Sequence, residues 1–354
     1  MIESNDNIHQ LDKMKTDETI YGLLIHLGRN MWAPHKAADH VRCDEKVWQE
    51  ITEHMADVGA NMLVIDLGEA LFYPSHPELA VKGTWSPEKM RKELKRLRGL
   101  GIEPIPKLNF STSHDAWLKD YSRMISTDEY YKVVADVIRD TADIFDRPRF
   151  FHLGWDEEKE KIQTVNKFEY MVMRQGYLWW HDMLFTVGEA ERHGARGWIW
   201  SDYEWMHKDE FLLKCPRTVV QSHWFYSSGF SHPERDDKKM REAPWAEPHT
   251  LCVFKELEEA GFDQICCGSN IYNSNNFPDL VRHCLKTVSP RHLLGFLNAP
   301  WGEVSAVLPP NANKGGRRGE SGRSRYLNAV DQLAGARGMV ERFRRLGETG
   351  IQGA

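Results

Sequence analysis

The chain has 354 residues, and its 46 Lys and Arg against 52 Asp and Glu leave a formal net charge of -6. With no basic surplus to neutralise phosphates, the balance argues against nucleic acid or an anionic membrane as a partner. No run reaches the roughly 20 apolar residues of a spanning helix, and the opening MIESNDNIHQLDKMKTDETI has no apolar signal-peptide core, so the sequence predicts a soluble, cytoplasmic protein.

Residues 1–20 are polar and aperiodic and predict a flexible arm. Tyr21 to Leu27 is a short apolar run opening into Gly28-Arg29-Asn30-Met31-Trp32, the profile of a buried strand followed by a loop. A helical spacing over Asp44 to Val58 stops at Gly59. Asn61 to Leu67 is the next strand, Ser86-Pro87-Glu88 opens a second helix, and Ile102 to Asn109 is a third strand. The alternation continues with a helix over Thr127 to Phe145, a strand over Phe150 to Glu157 and a long helix over Phe168 to His193. Arg196 to Asp202, Thr218 to Trp224, Asp263 to Ser269 and Leu293 to Trp301 are the remaining strands, with helices between them and a closing helix over Arg325 to Arg345. Tyr226 to Pro248 reads as an excursion above the strands, and Asn311 to Ser324 as a flexible loop.

Eight apolar strands alternating with helices specify an α/β protein, a single (β/α)8 TIM barrel with extended βα loops that occupies residues 21–354 as one domain. A doubly wound sheet would call for a glycine-rich phosphate turn after the first strand, and HLGRNMW offers one glycine. The six cysteines form no CxxC pair, and several lie in apolar runs, so they read as buried free thiols.

The stretch that stands out is FFHLGWDEE, Phe150 to Glu158, where an apolar strand runs into three consecutive carboxylates. If Phe150 to Trp155 is extended, His152, Gly154 and Asp156 share one face, and Glu157 at the strand end reaches the same ligand. Like charges held so close raise at least one pKa, and a carboxyl protonated at neutral pH can serve as a general acid. A solvated acidic strand end is the plainer alternative.

Parallel strands put their carboxyl ends on one face, so the other candidates are whatever follows each strand. These are Arg29 and Trp32, Asp66, Asn109 and His114, then His152, Asp156 and Glu157, Trp200 and Asp202, His223 and Trp224, and finally Trp301 and Glu303. Carboxylates and arginine bond hydroxyls directionally while indoles cover the apolar face of a sugar ring, so the inventory predicts a carbohydrate ligand. Each indole could instead be packing, Asp66 and Asp202 could cap helices, and His152 could simply bond Asp156. Sixteen histidines without a clear pair give no metal site, and no cofactor is expected. The sequence is silent on oligomeric state, and a homo-oligomer is compatible with it.

His152-Leu153-Gly154-Trp155-Asp156-Glu157 resembles the His-x-Gly-x-Asp-Glu signature of glycoside hydrolase family 20, the β-N-acetylhexosaminidases, and falls on the fourth strand as in that family. Arg29 is similar in position to the family's sugar-binding arginine, and Trp301-Gly302-Glu303 resembles its Trp-x-Glu after the last strand. The resemblance spans the barrel and implies an exo-acting, retaining hydrolase using substrate-assisted catalysis without metal or cofactor. It implies Glu157 as acid and base and Asp156 as orienter of a 2-acetamido group. It implies that Arg29 and Glu303 would hold the sugar hydroxyls, that Trp200 and Trp224 would wall the acetamido pocket, and that Tyr226 or Tyr272 would donate to its oxygen; the strand-end placement adds His114, His152, Asp202 and Trp301 as candidate sugar-binding residues. The chain departs from the family at Pro106-Lys107-Leu108-Asn109, where Glu-x-Asp is usual, and at Gly28, where an Asp is common. A glycosidase for another sugar, or a binding barrel without turnover, are the alternatives.

Overall fold

Each strand is buried along nearly its whole length, as uninterrupted apolar runs require when both faces are covered. The computed structural model describes residues 18–32, 37–165, 167–168, 170–231, 234–238, 248–308 and 320–348. The strands are β1 (Ile20–His26), β2 (Met62–Asp66), β3 (Glu103–Lys107), β4 (Phe150–His152), β5 (Arg196–Trp200), β6 (Val220–Ser222), β7 (Gln264–Gly268) and β8 (Leu293–Asn298). They pair in parallel in chain order, and β8 closes onto β1 with Gly295 opposite Ile20, making the barrel complete.

The helices outside it are α1 (Glu45–Val58), α2 (Pro87–Gly99), α3 (Asp128–Ile144), α4 (Glu160–Val165) and α5 (Tyr177–Arg192), then α6 (Glu204–Lys214), α7 (Val253–Glu259), α8 (Asn276–Thr287) and α9 (Gly322–Glu348). Their starts follow the sequence. Asp44, Ser86 and Thr127 each accept a backbone N–H from the first turn of α1, α2 and α3, caps worth roughly 1 kcal/mol apiece. Gly59 ends α1 in the left-handed conformation. No helix among the described residues is long and apolar enough to cross a membrane.

Three expected elements differ. β4 ends at His152 rather than Glu157, because Gly154 and Trp155 are left-handed at φ 75° and 71°. The long helix expected over Phe168 to His193 begins only at Tyr177. The chain before it is used otherwise: the Gln163 side chain bonds both the N–H and the C=O of Val172, and Arg174 is drawn into buried ion pairs with Glu158 and Asp182. β6 is three residues long, although Trp224 makes a further bridge to Cys267.

Of the excursion from Tyr226 to Pro248, residues 226–231, 234–238 and 248 are described. Arg235 ties the excursion to α6 and α7 through Glu204 and Glu256. Most of the expected N-terminal arm and of the Asn311 to Ser324 loop lies outside the described residues. All six cysteines are free, five of them buried.

Candidate functional site

The end of β4 is shaped by close approach. A Cβ on Gly154 would meet Asn109 Oδ1 at 2.1 Å, so only glycine lets the tails of β3 and β4 touch. Asn109 Oδ1 then accepts the N–H of Trp155, and the Trp155 indole donates to Thr186 at 3.0 Å, which holds that left-handed residue in place. Glu157 is left-handed as well, at φ 55°. Such conformations cost roughly 1–3 kcal/mol each in a non-glycine residue and persist only where the surroundings impose them. The alternating faces expected of a strand are therefore absent here. The chain turns residue by residue, so Asp156 and Glu157 converge on one histidine while Glu158 turns away.

Asp156 accepts from Asn109 Nδ2 at 2.7 Å and lies 3.4 Å from His114 Nε2. Glu157 approaches the same His114 nitrogen at 3.2 Å. Burial pulls the His114 pKa down, but Asp156 and Glu157 outweigh it and the net shift is upward. Glu158 turns the other way, into the buried Arg174. Asp202 accepts the backbone N–H of Glu157 at 2.9 Å. Burial pushes its pKa up to about 7, opposed by Lys159 and reinforced by Asp156 and Glu157. It does not cap α6; the capping position before Glu204 is Tyr203, which makes no side-chain capping bond.

One ligand atom each from His114, Asp156 and Glu157 lies within 4.8 Å of the other two, close enough to hold a divalent cation, and no other such group of three occurs among the described residues. A protonated His114 between two carboxylates satisfies the same geometry without one.

Near Asp156 lies a cluster of packed aromatic rings, the aromatic well. His152 packs against Trp198 and Trp200 with ring centroids 4.8 and 4.4 Å apart, and Trp200 lies 6.1 Å from Trp301. Trp224 stacks on Tyr226 at 5.2 Å, and Tyr226 faces Trp301 at 6.4 Å. Tyr226 is close enough to Asp156 to feel its charge, whereas Tyr272 is 54% exposed, so the tyrosine of the well is Tyr226. His152 does not bond Asp156. Its Nδ1 accepts from the Gly154 N–H at 3.1 Å, which puts the proton of the neutral ring on Nε2, and burial and Lys107 keep the ring neutral. His152 Nε2, Trp200 Nε1 and Trp224 Nε1 are buried donors with no hydrogen-bond partner among the described residues.

At the rim, Arg29 is half-buried and feels the charges of Glu303 and Asp66, and Glu303, its side chain 41% exposed, pairs with Arg42 at 3.4 Å. Of Trp32 only the backbone is described. Glu69 pins the tail of β1 by accepting the N–H groups of Arg29 and Asn30. Gly28 is required there, since a Cβ would meet Leu67 O at 2.2 Å. His223 belongs to the packing, bonded to Thr250 O and enclosed by Trp205 and Phe254.

Sequence reasoning missed the floor. Lys107 is fully buried and ion-paired with Asp66, which also faces His26 at 3.4 Å. Inward-facing residues of adjacent strands in register, His26 with Asp66 and Asp66 with Lys107, would have signalled it. Asn109 was placed at this face, but its bond to Asp156 has no sequence signature.

Glu157 also lines a cavity of about 480 Å³, together with Lys159, Trp179, Asp202, Tyr203 and His207 among others. Asp156 and the indoles Trp200, Trp224 and Trp301 do not line it.

No protein-family model matches the sequence, and no curated protein matches it. The fold, however, is that of the glycoside hydrolase family 20 barrels. A β-N-acetylhexosaminidase from Bacteroides fragilis NCTC 9343 superposes with a TM-score of 0.57 at 15% identity, over 88% of this chain and 64% of its own. An exo-β-N-acetylglucosaminidase from Vibrio harveyi, solved with N-acetylglucosamine, gives 0.53 at 12% identity, over 93% and 58%. Dispersin B gives 0.56 at 13% identity, over 90% of this chain and 99% of its own. The chain thus spans under two thirds of the first two enzymes and nearly all of the third.

Proposed function

We propose that the protein is an exo-acting glycoside hydrolase that releases a terminal N-acetylhexosamine with retention, the substrate's own acetamido group serving as nucleophile. The observation that carries this reading is the division of labour between two consecutive carboxylates. Asp156, oriented by Asn109 and His114, lies near the well of Trp200, Trp224, Tyr226 and Trp301, while Glu157 lines the cavity. The barrel shared with hexosaminidases supports it.

In this mechanism Glu157 gives its proton to the bridging oxygen as the glycosidic C–O bond breaks, and the acetamido oxygen takes the anomeric carbon. Asp156 orients the acetamido N–H and stabilises the positive charge that grows there. Tyr226 donates to the acetamido oxygen, and water then attacks the anomeric carbon and returns a proton to Glu157. The buried N–H groups of His152, Trp200 and Trp224 are donors such a ligand would satisfy, each otherwise costing about 1–3 kcal/mol.

The second reading, a metal-dependent hydrolase, rests on the His114, Asp156 and Glu157 cluster. One assay separates the two: turnover of chromogenic β-N-acetylglucosaminide and β-N-acetylgalactosaminide, with chelator present, by the wild type, Glu157→Gln and Asp156→Asn. The expected result is turnover that survives chelation and falls roughly 10²–10⁴-fold in each variant. Activity lost to chelator and restored by a divalent metal supports the second reading, and no turnover of either sugar sinks the first.

A further inference from the structure

Glu157 is held from behind by Asp202, and Asp202 belongs to a turn that a distant loop secures. Asp202 accepts the Glu157 N–H at 2.9 Å and opens the first turn of α6. There the Trp205 N–H closes back on the Asp202 carbonyl at 3.2 Å and the Glu204 N–H on the Ser201 carbonyl at 3.1 Å. This turn is poorly supported by its own helix. Tyr203 gives it no side-chain cap, and α6 leaves helical geometry at His207, φ -131° and ψ 37°. A break so near the start of a helix leaves the carbonyls before it short of intrahelical donors.

The donors come from Arg235, in the excursion that follows β6. Its Nη2 donates to the carbonyls of Trp205 at 2.8 Å and Glu204 at 3.4 Å, while its Nη1 donates to Glu204 Oε1 at 2.9 Å and Glu256 Oε2 at 2.8 Å. Asp237 takes Nε at 2.6 Å and fixes the fork from its own side. One arm of the guanidinium thus grips the α6 backbone, and the other lies between two carboxylates whose charges oppose each other, Glu204 fully buried and Glu256 nearly so. A lysine carries the charge of this fork but not its second arm. The same turn carries Trp205, which packs on Trp224 of the aromatic well at 4.7 Å. Lys208 offers a comparison. It also ties α6 to α7, through Glu256 at 2.6 Å, and bonds no carbonyl of that turn among the described residues.

On the reading of Glu157 as the acid that protonates the departing oxygen, we infer that Arg235 is a positioning residue for that acid: by clamping the Glu204 and Trp205 carbonyls it holds Asp202 where Asp202 fixes the Glu157 backbone. The excursion after β6 therefore governs proton delivery at the end of β4.

The test compares kcat/KM on phenyl and 2,4-dinitrophenyl N-acetyl-β-glucosaminides for the wild type, Arg235→Lys and Lys208→Met, with thermal melts and with amide hydrogen exchange over residues 154–159. Arg235→Ala would strand the two buried carboxylates, so the variant used keeps a cation between them. A phenolate needs the acid's proton to leave and a dinitrophenolate scarcely does, so a displaced acid penalises the first substrate alone. Both substrates present the same sugar, and any disturbance of the well through Trp205 and Trp224 cancels in their ratio. The inference expects Arg235→Lys to lower the phenyl-to-dinitrophenyl ratio at least about tenfold and to speed exchange over 154–159. Lys208→Met should lower the melting temperature and change neither. An unchanged ratio in Arg235→Lys, or a ratio that falls as far in Lys208→Met, overturns the inference while leaving the proposed hydrolase standing. If the wild type turns over neither substrate, the hydrolase reading fails and exchange alone decides: faster exchange in Arg235→Lys only retains Arg235 as the residue that fixes Glu157, and equal exchange removes it.

Discussion

Asn109 and Asp202 bracket the two carboxylates, and each makes a separable prediction. Asn109→Asp would set a second carboxylate 2.7 Å from Asp156. Like charges sharing a site raise a pKa, so turnover at pH 7 should fall roughly tenfold and the acid limb of the rate profile should move to higher pH. A profile with an unmoved acid limb would refute the argument. Asp202 is held protonated up to about 7 in the folded chain against 3.8 for a free carboxyl. Folding therefore takes up a proton between those values, and the stability from this group is complete below 3.8 and lost as the pH rises through about 7. Asp202→Asn removes that titration, so its melting temperature relative to the wild type should rise from pH 4 to pH 8, as scanning fluorimetry across that range would register.

The turn after β4 concentrates the conformational cost of the site in a few residues. Gly154→Ala must both hold φ near 75° and push Asn109 away from a 2.1 Å clash. A loss of at least about 1–3 kcal/mol of stability is expected, with activity falling further because Asn109 also orients Asp156. Denaturant unfolding and kcat, measured together, would separate the two effects. This turn also marks where sequence reading stops. The eight strands and the helix starts at Asp44, Ser86 and Thr127 were legible, because apolar runs and capping residues are local signals. The HLGWDE residues stood out for their chemistry, but the left-handed Trp155 and Glu157 did not, since their backbone is imposed by Asn109 and Asp202, 46 and 45 residues away. The wrong boundary at Phe168 has the same origin, a helical-looking run overridden by the burial of Arg174.

At the scale of the barrel, the closed ring of strands lets a lysine and an aspartate sit fully buried at its centre. Removing one partner leaves the other charge stranded, so Lys107→Met should cost roughly 3–5 kcal/mol, and adding Asp66→Asn should recover much of it. Additive losses in the double variant would show that the pair is not the cause. The three acidic residues 156–158 also have different surroundings: Asp156 and Glu157 share His114, with Asp156 held by Asn109 and Glu157 lining the cavity, while Glu158 belongs to the Arg174 cluster. The motif is consequently not portable. Grafted onto another barrel without Asn109, Arg174 and Asp202, the same letters would relax into an ordinary strand end, so a search for kindred sites in distant sequences should ask for all six residues together.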